Sequence, residues 1–444
     1  MAKLLGGSRL VGHFAEAHAT SANNLRIAAM AIALLLAVAG LSYELVVIGG
    51  GSAGLTAAKF AATIGKSVAI VEKGRMGGDC TWTGCVPSKT LLAVAKQAHA
   101  ARLAARSGYV STGASADAVT VDMPAVKRHV MATVQKIYDE DDSPEALEKL
   151  GVETVEGAAT FVDASTLRVT PNSGAEPLEV RATEGIIIAT GAGPRKSNLP
   201  GLDSVKHITY EEVFDLDVLP NRMTVVGGGP IGCELAQAFS RLGSDVTIAA
   251  PSLLPGDEPE VGEAMSALFA SEGIRHVADR AASVSAGGSD GGHVLSTTRG
   301  ETIEGDVLLV ATGRSPITGG MGIDTIGVAT NAVGGIDVDE KLRTACKGVY
   351  AAGDCTGDQQ FTHYAGYQGA IAARNILLPL TDTSVKASEA RRDHAEIATR
   401  LRREKSAPPR GRCPRARSRR RRWRMSGSKR LRRARSTARA RSLR

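Results

Sequence analysis

The chain has 444 residues, enough for two or three domains, with 50 glycines and only seven phenylalanines. That composition suits an α/β protein built on small aliphatic strands. It excludes a disulfide-stapled scaffold, because six cysteines are too few and too scattered. The net charge of +8 is unevenly spread: Leu401 to Arg444 holds 20 Lys or Arg against one acid, Glu404, leaving the first 400 residues at −11. Any nonspecific affinity for RNA or another anionic surface therefore belongs to the tail, not the acidic body.

Residues 1–26 carry Lys3, Arg9 and Arg26 against Glu16 alone, and Ile27 to Leu41 is a small-apolar run of 15 residues. Spanning a bilayer takes roughly 20 apolar residues, whereas signal-peptide cores run about 7–15. Residues 1–42 therefore read as a targeting segment outside the fold. The long leader favours an organelle, plastid or mitochondrion, with a membrane tether as the alternative.

Glu44 to Ile48 reads as a buried strand, followed by the loop Gly49-Gly50-Gly51-Ser52-Ala53-Gly54 and an Ala-rich helix. Ser67 to Val71 is the next strand and ends at Glu72. Glycines in such a turn let the backbone approach a pyrophosphate at a helix N-terminus, and an acid at the next strand end binds a ribose hydroxyl.

Met76 to Lys89 comes next, with Cys80 and Cys85 separated by four residues. A five-residue step on a regular helix turns a side chain by about 140°. Gly84 is expected to distort the backbone and bring the sulfurs together. The alternatives are two buried free thiols or a zinc site, and no second Cys or His pair lies at ligand spacing. Position just beyond a dinucleotide loop favours a redox pair.

Gly78 to Lys89 meets the pattern Gly-Asp-Cys-x-x-x-Gly-Cys-Val-Pro-Ser-Lys. The chain from Tyr43 to about Leu377 resembles the class I pyridine nucleotide-disulfide oxidoreductases, closest to the mercuric-reductase-like and dihydrolipoamide dehydrogenase branch. The resemblance implies two Rossmann-like domains of the glutathione-reductase type, with the FAD-binding one discontinuous. It implies FAD together with NADPH or NADH as cofactors. By the family pattern Cys85 is the flavin-proximal thiol, Cys80 attacks substrate, and Lys89 pairs with Glu234 beside the flavin. Gly49, Gly51, Ser52, Ala53, Gly54, Glu72, Lys73, Gly78 and Lys89 would then contact FAD.

Beyond the motif, a helix is expected from about Lys89 to Ala105 and another pattern over Met123 to Leu150, broken at Ser143-Pro144. Glu153 to Val169 alternates like a meander, with Gly157 and Ala159 matching the family's adenine contact. Gly185 to Pro194 is a buried strand ending in Ala189-Thr190-Gly191. Met223 to Gly232 repeats the opening design with Gly227, Gly229, Pro230, Ile231 and Gly232, and implies a second nucleotide site. Its ribose-reading position is Ala250, followed by Pro251, so neither an acid for NAD nor an arginine for NADP stands there. Gly305 to Arg314, including Gly313, is read as the return to the FAD domain. Gly348 to Asp354 supplies Gly353 and Asp354 for the ribityl chain, and Thr362, His363 and Ala365 open a helix near the flavin.

The expected boundaries are 43–192 and 305–380 for the FAD domain, 193–304 for the NAD(P) domain and 381–444 for a basic, disordered tail. Relatives are homodimers through a third domain, and this tail stands in its place. The late pair His394 and Glu396 and the lone Cys413 do not match the relatives' catalytic features. The expected acceptor is a small-molecule or protein disulfide or thiol, or a metal ion. A flavoprotein with NAD(P)H oxidase or diaphorase activity alone is the alternative, and a tail-driven binder of RNA or anionic surfaces is a third reading.

Overall fold

Runs of Val, Ile and Ala without polar alternation are buried on both faces, which is the pattern of parallel sheet covered by helices. The computed structural model describes residues 41–107, 119–287, 291–378 and 383–385. The apolar run up to residue 40, the basic tail, His394, Glu396 and Cys413 lie outside the described residues.

The first sheet contains β1 (Leu41–Ile48), β2 (Val68–Glu72), β3 (Val152–Phe161), β4 (Thr166–Pro171) and β5 (Leu178–Ile188). β1 pairs in parallel with β2 on one side and β5 on the other, so the first glycine loop leaves from the middle of the sheet. β3 is long enough to serve two partners: its first half runs parallel to β2 and its second half antiparallel to β4. β1 begins at Leu41, two residues before the expected domain start, and Leu41 and Ser42 pair with Val180 and Arg181.

Helices follow the strands. α1 (Ser52–Thr63) succeeds the first loop, and α2 (Gly78–Trp82) and α3 (Cys85–Ser107) succeed β2. α3 starts four residues earlier than expected, on Cys85 itself. Pro87 falls in its first turn, where a missing N–H is harmless. The expected second helical stretch resolves into α4 (Met123–Ile137), a π turn over Tyr138–Asp142 and α5 (Pro144–Lys149), capped by the side chain of Ser143.

The chain leaves the first sheet through β6 (Ala192–Pro194) and builds a second, all-parallel sheet from β7 (His207–Ile208), β8 (Arg222–Val226), β9 (Asp245–Ala249), β10 (Arg275–Val277) and a later strand. α6 (Pro230–Leu242) follows β8 and α7 (Pro259–Ser271) follows β9. β11 (Ala281–Ala286), β12 (His293–Thr297) and β13 (Thr302–Gly305) form an antiparallel meander, and β14 (Val307–Val310) then enters the second sheet between β8 and β7. This corrects the expected return at residue 305. Val307–Val310 belongs to the second sheet because its apolar residues pair with Met223–Val226, and the crossing back is made by β15 (Arg314–Pro316) against β6. β16 (Val349–Ala351) rejoins the first sheet beside β5, and α8 (Thr362–Leu377) packs on α1.

Alternate residues of β1 face opposite sides of the sheet, as a two-residue period requires. Leu45 and Val47 join Ala57, Ile70, Ile187 and Ile376, while Val46 and Ile48 join Val71, Phe161, Ile186 and Ile188. A third core is shared: Leu91 and Ala95 of α3 and Val126 and Val130 of α4 pack with Val225, Phe239, Leu242 and Ile248 of the second sheet and its helix. The helix that starts at Cys85 thus packs one face against the second sheet and its helix.

Candidate functional site

A single cleft of about 920 Å³ is lined by both glycine loops, the cysteine pair, and the segments around Ala189, Arg314, Asp354 and Thr362. Pockets of roughly 300–1,000 Å³ hold small ligands and cofactors.

The first loop is shaped by backbone contacts that only glycine permits. Gly49 has φ of +109°, and its missing Cβ would lie 2.3 Å from Ala189 O. Glu72 is turned toward the loop by two amides, Gly50 N–H and Gly74 N–H, each donating to its carboxylate at 2.6 Å. Gly54, Gly227 and Gly232 are not among the residues lining the cleft. A Cβ at Gly54 would sit 1.9 Å from Gly49 O, and one at Gly232 would sit 2.3 Å from Gly227 O, so these positions serve close packing of helix on strand. Gly157 and Ala159 also lie outside the cleft lining, on β3, where Ala159 is buried in the core and Gly157 pairs with Pro171. Every other site residue named from the sequence lines the cleft: Gly49, Gly51, Ser52, Ala53, Glu72, Lys73, Gly78, Cys80, Cys85, Lys89, Ala189, Thr190, Gly191, Gly229, Pro230, Ile231, Glu234, Gly313, Arg314, Gly353, Asp354, Thr362, His363 and Ala365.

The cysteines meet at a junction between two helices. Cys80 lies in α2, which ends at Trp82, and Cys85 is the first residue of α3. Gly84 is needed for close approach rather than for unusual torsion, since a Cβ there would lie 2.7 Å from Asp79 O. The left-handed turns that redirect the chain are at Gly77 and Gly78, with φ of +101° and +58°.

The two thiols are electrostatically unlike. Cys85 is lowered to about 5, first because Cys80 donates a hydrogen bond to it, then through the Thr362 hydroxyl, Lys89 and His363, with burial opposing. Thr362 Oγ1 lies 3.2 Å from Cys85 Sγ. Cys80 is pushed up, chiefly by the same hydrogen bond to Cys85 and then by burial. Cys85 sits at the N-terminus of its own helix and faces the first residue of α8, and helix N-termini favour negative charge. Lys89 Nζ is 2.6 Å from Glu234, the pairing expected from the sequence.

A second cluster had no role in the sequence reading beyond Arg314 and Asp354. Asp79, next to Cys80, accepts from Arg314 Nη2 at 2.6 Å and from the Tyr210 hydroxyl at 3.1 Å. The same nitrogen reaches Asp354 at 3.1 Å, and the guanidinium lies over the Tyr210 ring. Burial raises Asp354 from the ordinary aspartate value, with Arg314 opposing, and burial raises the Tyr210 phenol. Asp79 stood in the quoted motif, but Tyr210 is 131 residues away from it and no spacing announces such a contact. Trp82, between the cysteines, donates its indole N–H to Met76 O and carries Arg75 over its ring.

The residues fit a flavin dinucleotide. Arg314 Nε and Thr83 Oγ1, both on cleft-lining residues, are buried without a hydrogen-bond partner among the described residues. The cleft also gathers Lys73, Arg75, Lys89 and Arg314 with the N-terminus of α1, a donor set suited to a pyrophosphate. Ala250, expected from the sequence to read the ribose of a second nucleotide, is buried, and its carbonyl oxygen lies 2.9 Å from His276 Nε2.

The profile of the family described as Pyridine nucleotide-disulphide oxidoreductase matches residues 43–369. The chain is 37% identical over 341 residues to a mercuric reductase of Streptomyces lividans, covering 76% of this chain and 70% of the relative. A mercuric reductase of Shigella flexneri is 37% identical over 75% of this chain and 58% of its own length. A dihydrolipoyl dehydrogenase of Chlamydia trachomatis is 35% identical, over 76% and 70%. The chain thus spans only part, in some cases little more than half, of the relatives it matches. Among solved structures, LpdA from Mycobacterium tuberculosis superposes with a TM-score of 0.68 at 29% identity, covering 78% of this chain and 73% of that one. The HOCl-induced flavoprotein disulfide reductase RclA from Escherichia coli gives 0.65 at 27%, covering 77% and 72%, and is also known as a Cu(II) complex.

Proposed function

The chain belongs to the pyridine nucleotide-disulphide oxidoreductase family, and from that premise we propose that it moves electrons from NAD(P)H to the Cys80–Cys85 pair and on to an outside acceptor. The acceptor class is a disulfide or thiol, or a soft metal ion such as those named for the mercuric reductases and the copper complex of RclA. The observation that carries this reading is the placement of Cys80 and Cys85, on either side of one helix–helix junction, inside the cleft that both glycine loops line.

FAD, bound in this cleft, supplies two-electron redox chemistry between a nicotinamide and a disulfide. Glu72, the first loop and the N-terminus of α1 would hold its adenosine diphosphate half, with Asp354 at the ribityl chain. Cys85 would face the flavin as thiolate, held ionised by Cys80, Thr362 and Lys89.

With the pair reduced, Cys80 attacks one sulfur of an acceptor disulfide. As the Cys80–sulfur bond forms, the acceptor bond breaks, and the Cys80 proton passes to the neighbouring Cys85 thiolate. The first leaving thiolate takes a proton from solvent. Cys85 then displaces the second acceptor sulfur, its proton going with that leaving group, and the Cys80–Cys85 disulfide re-forms. Two electrons and two protons leave with the acceptor, so the cycle balances.

An anaerobic titration of the flavin-loaded protein with NADPH and then NADH tests the reading. The expected result is a long-wavelength absorbance that vanishes in Cys85→Ala, together with nucleotide-dependent turnover of a disulfide or of Cu(II). Flavin bleaching with identical spectra in wild type and Cys85→Ala would leave only the diaphorase activity.

A further inference from the structure

Arg102 lies far from the cleft, yet it makes three hydrogen bonds to main-chain carbonyls. Its Nη1 donates to Arg241 O at 2.6 Å, and its Nη2 donates to Leu242 O at 2.7 Å and Val119 O at 3.2 Å. Arg241 and Leu242 end α6, where carbonyls have no partner within the helix and a cation is favoured. The side chain of Arg241 is itself engaged by Glu272, with Nε at 2.9 Å, so the end of α6 is left to Arg102. Gly243 makes the room: its φ is +127°, and a Cβ there would lie 3.0 Å from Arg102 Nη2.

At the other end of the same two helices, Lys89 of α3 meets Glu234 of α6. Lys89 is near the start of α3 and Glu234 near the start of α6, while Arg102 and Leu242 are near their ends. The helices therefore run in the same direction and are joined at both ends. Leu91 and Ala95 pack with Leu235, Phe239 and Leu242 between the two joints. The joints differ in strength. The Lys89 side chain is 62% exposed, and an exposed ion pair contributes little. Arg102 is part-buried, and its bonds carry a full charge.

What the two helices begin with gives this joint its meaning. α3 begins on Cys85, and α6 begins on the second glycine loop. Sliding one along the other would move the nucleotide loop relative to the thiol pair, over a lever of 17 residues or about 25 Å of helix. We propose that Arg102 is a positioning residue that sets α6 against α3, and thereby the approach of a nicotinamide on Gly227–Gly232 to the redox cleft. This rests on the function proposed above, with the second loop as the nicotinamide site.

Arg102→Gln in the full-length, flavin-loaded protein tests it. Misplacement by about 1 Å costs up to a hundredfold in rate, so nucleotide-driven flavin reduction should slow about tenfold. Nucleotide affinity should stay within about twofold, since the loop is intact, and flavin reduction by dithiothreitol through the cysteines should be unchanged. In the flavin-free protein, amide exchange over Phe239–Gly243 should rise about tenfold, a change that needs no turnover. Gly243→Ala leaves the charge in place and should give the same pattern, and it carries the test if Arg102→Gln does not fold. Arg102→Lys should recover part of the rate. Wild-type nucleotide-driven rates in both variants would overturn the inference, as would slowing of both half-reactions together. A wild-type protein reduced by neither nucleotide would instead overturn the functional reading.

Discussion

The ionisation of Cys85 can be taken apart one partner at a time. It stands at about 5, against an ordinary cysteine near 8.5, and its causes are ranked: the Cys80 hydrogen bond first, then Thr362, then Lys89 and His363. A hydrogen bond to a charged group contributes about 1.5–3 kcal/mol, and one pKa unit is 1.36 kcal/mol, so Thr362→Val should raise Cys85 by about one unit after allowance for its half-exposure. Cys80→Ala should raise it more. Lys89→Gln should raise it by less than about half a unit, because the ammonium is 62% exposed and screened by salt. The assay is the rate of iodoacetamide alkylation at Cys85 against pH in the reduced, flavin-free protein, resolved by peptide mass spectrometry. Thr362→Val leaving the midpoint within about 0.3 units of wild type, or Lys89→Gln moving it further than Cys80→Ala, would refute the ranking and the assignment of the thiolate to a hydrogen-bonded site.

Arg314→Gln strips the partner from two carboxylates at once and should cost roughly 3 kcal/mol in urea unfolding, whereas Asp79→Asn, which relieves an excess of negative charge, should cost less. Gly54→Ala puts a methyl 1.9 Å from Gly49 O, so α1 must shift. Flavin binding should be lost, with about 2–3 kcal/mol of overpacking read from the same denaturation curve. His293 is buried and lowered by that burial, with Asp306 opposing and Arg222 adding to it. The folded protein therefore prefers the neutral ring, and this stability is complete above the unfolded value near 6.5 and is lost as pH falls below it. The urea midpoint should drop on going from about pH 7.5 to 5.5, and His293→Phe should flatten that slope; an equal slope in both proteins would contradict the assignment.

Local patterns carried most of the site, because the chemistry there is written in short segments. Gly49–Gly54 and Gly227–Gly232 each sit within one strand–loop–helix turn, and Cys80–Lys89 spans a single helix–helix junction, so the residues in them need no distant partner to be recognised. What the sequence did not reveal is what distant segments do to one another. β14 reads like any strand leading to an Ala-Thr-Gly turn, and nothing local says that Val307–Val310 pairs with Met223–Val226. Gly157 and Ala159 match a contact pattern and stand on β3, outside the cleft lining. Tyr210 and Arg102 were invisible for the same reason, since each acts on backbone or carboxylates more than 100 residues away.

The placement of helix ends explains why one cleft suits both a polyanionic cofactor and a thiolate. Ser52, Cys85, Pro230 and Thr362 are the first residues of α1, α3, α6 and α8, and all four line it. Each N-terminus presents amides with no partner inside its helix and roughly half a positive charge. Acids answer them within the same walls, at Glu72, Asp79, Glu234 and Asp354, but three of these are already bound to Gly50 and Gly74 amides, Arg314 or Lys89. Asp354 shares its single nitrogen of Arg314 with Asp79 and is raised by burial, which leaves it the acid best placed to accept from a neutral hydroxyl. Donor capacity left in the cleft therefore comes from these helix ends, from Lys73 and Arg75, and from the orphaned Arg314 Nε, and two of the helix ends stand at Ser52, where the proposed pyrophosphate would bind, and at Cys85.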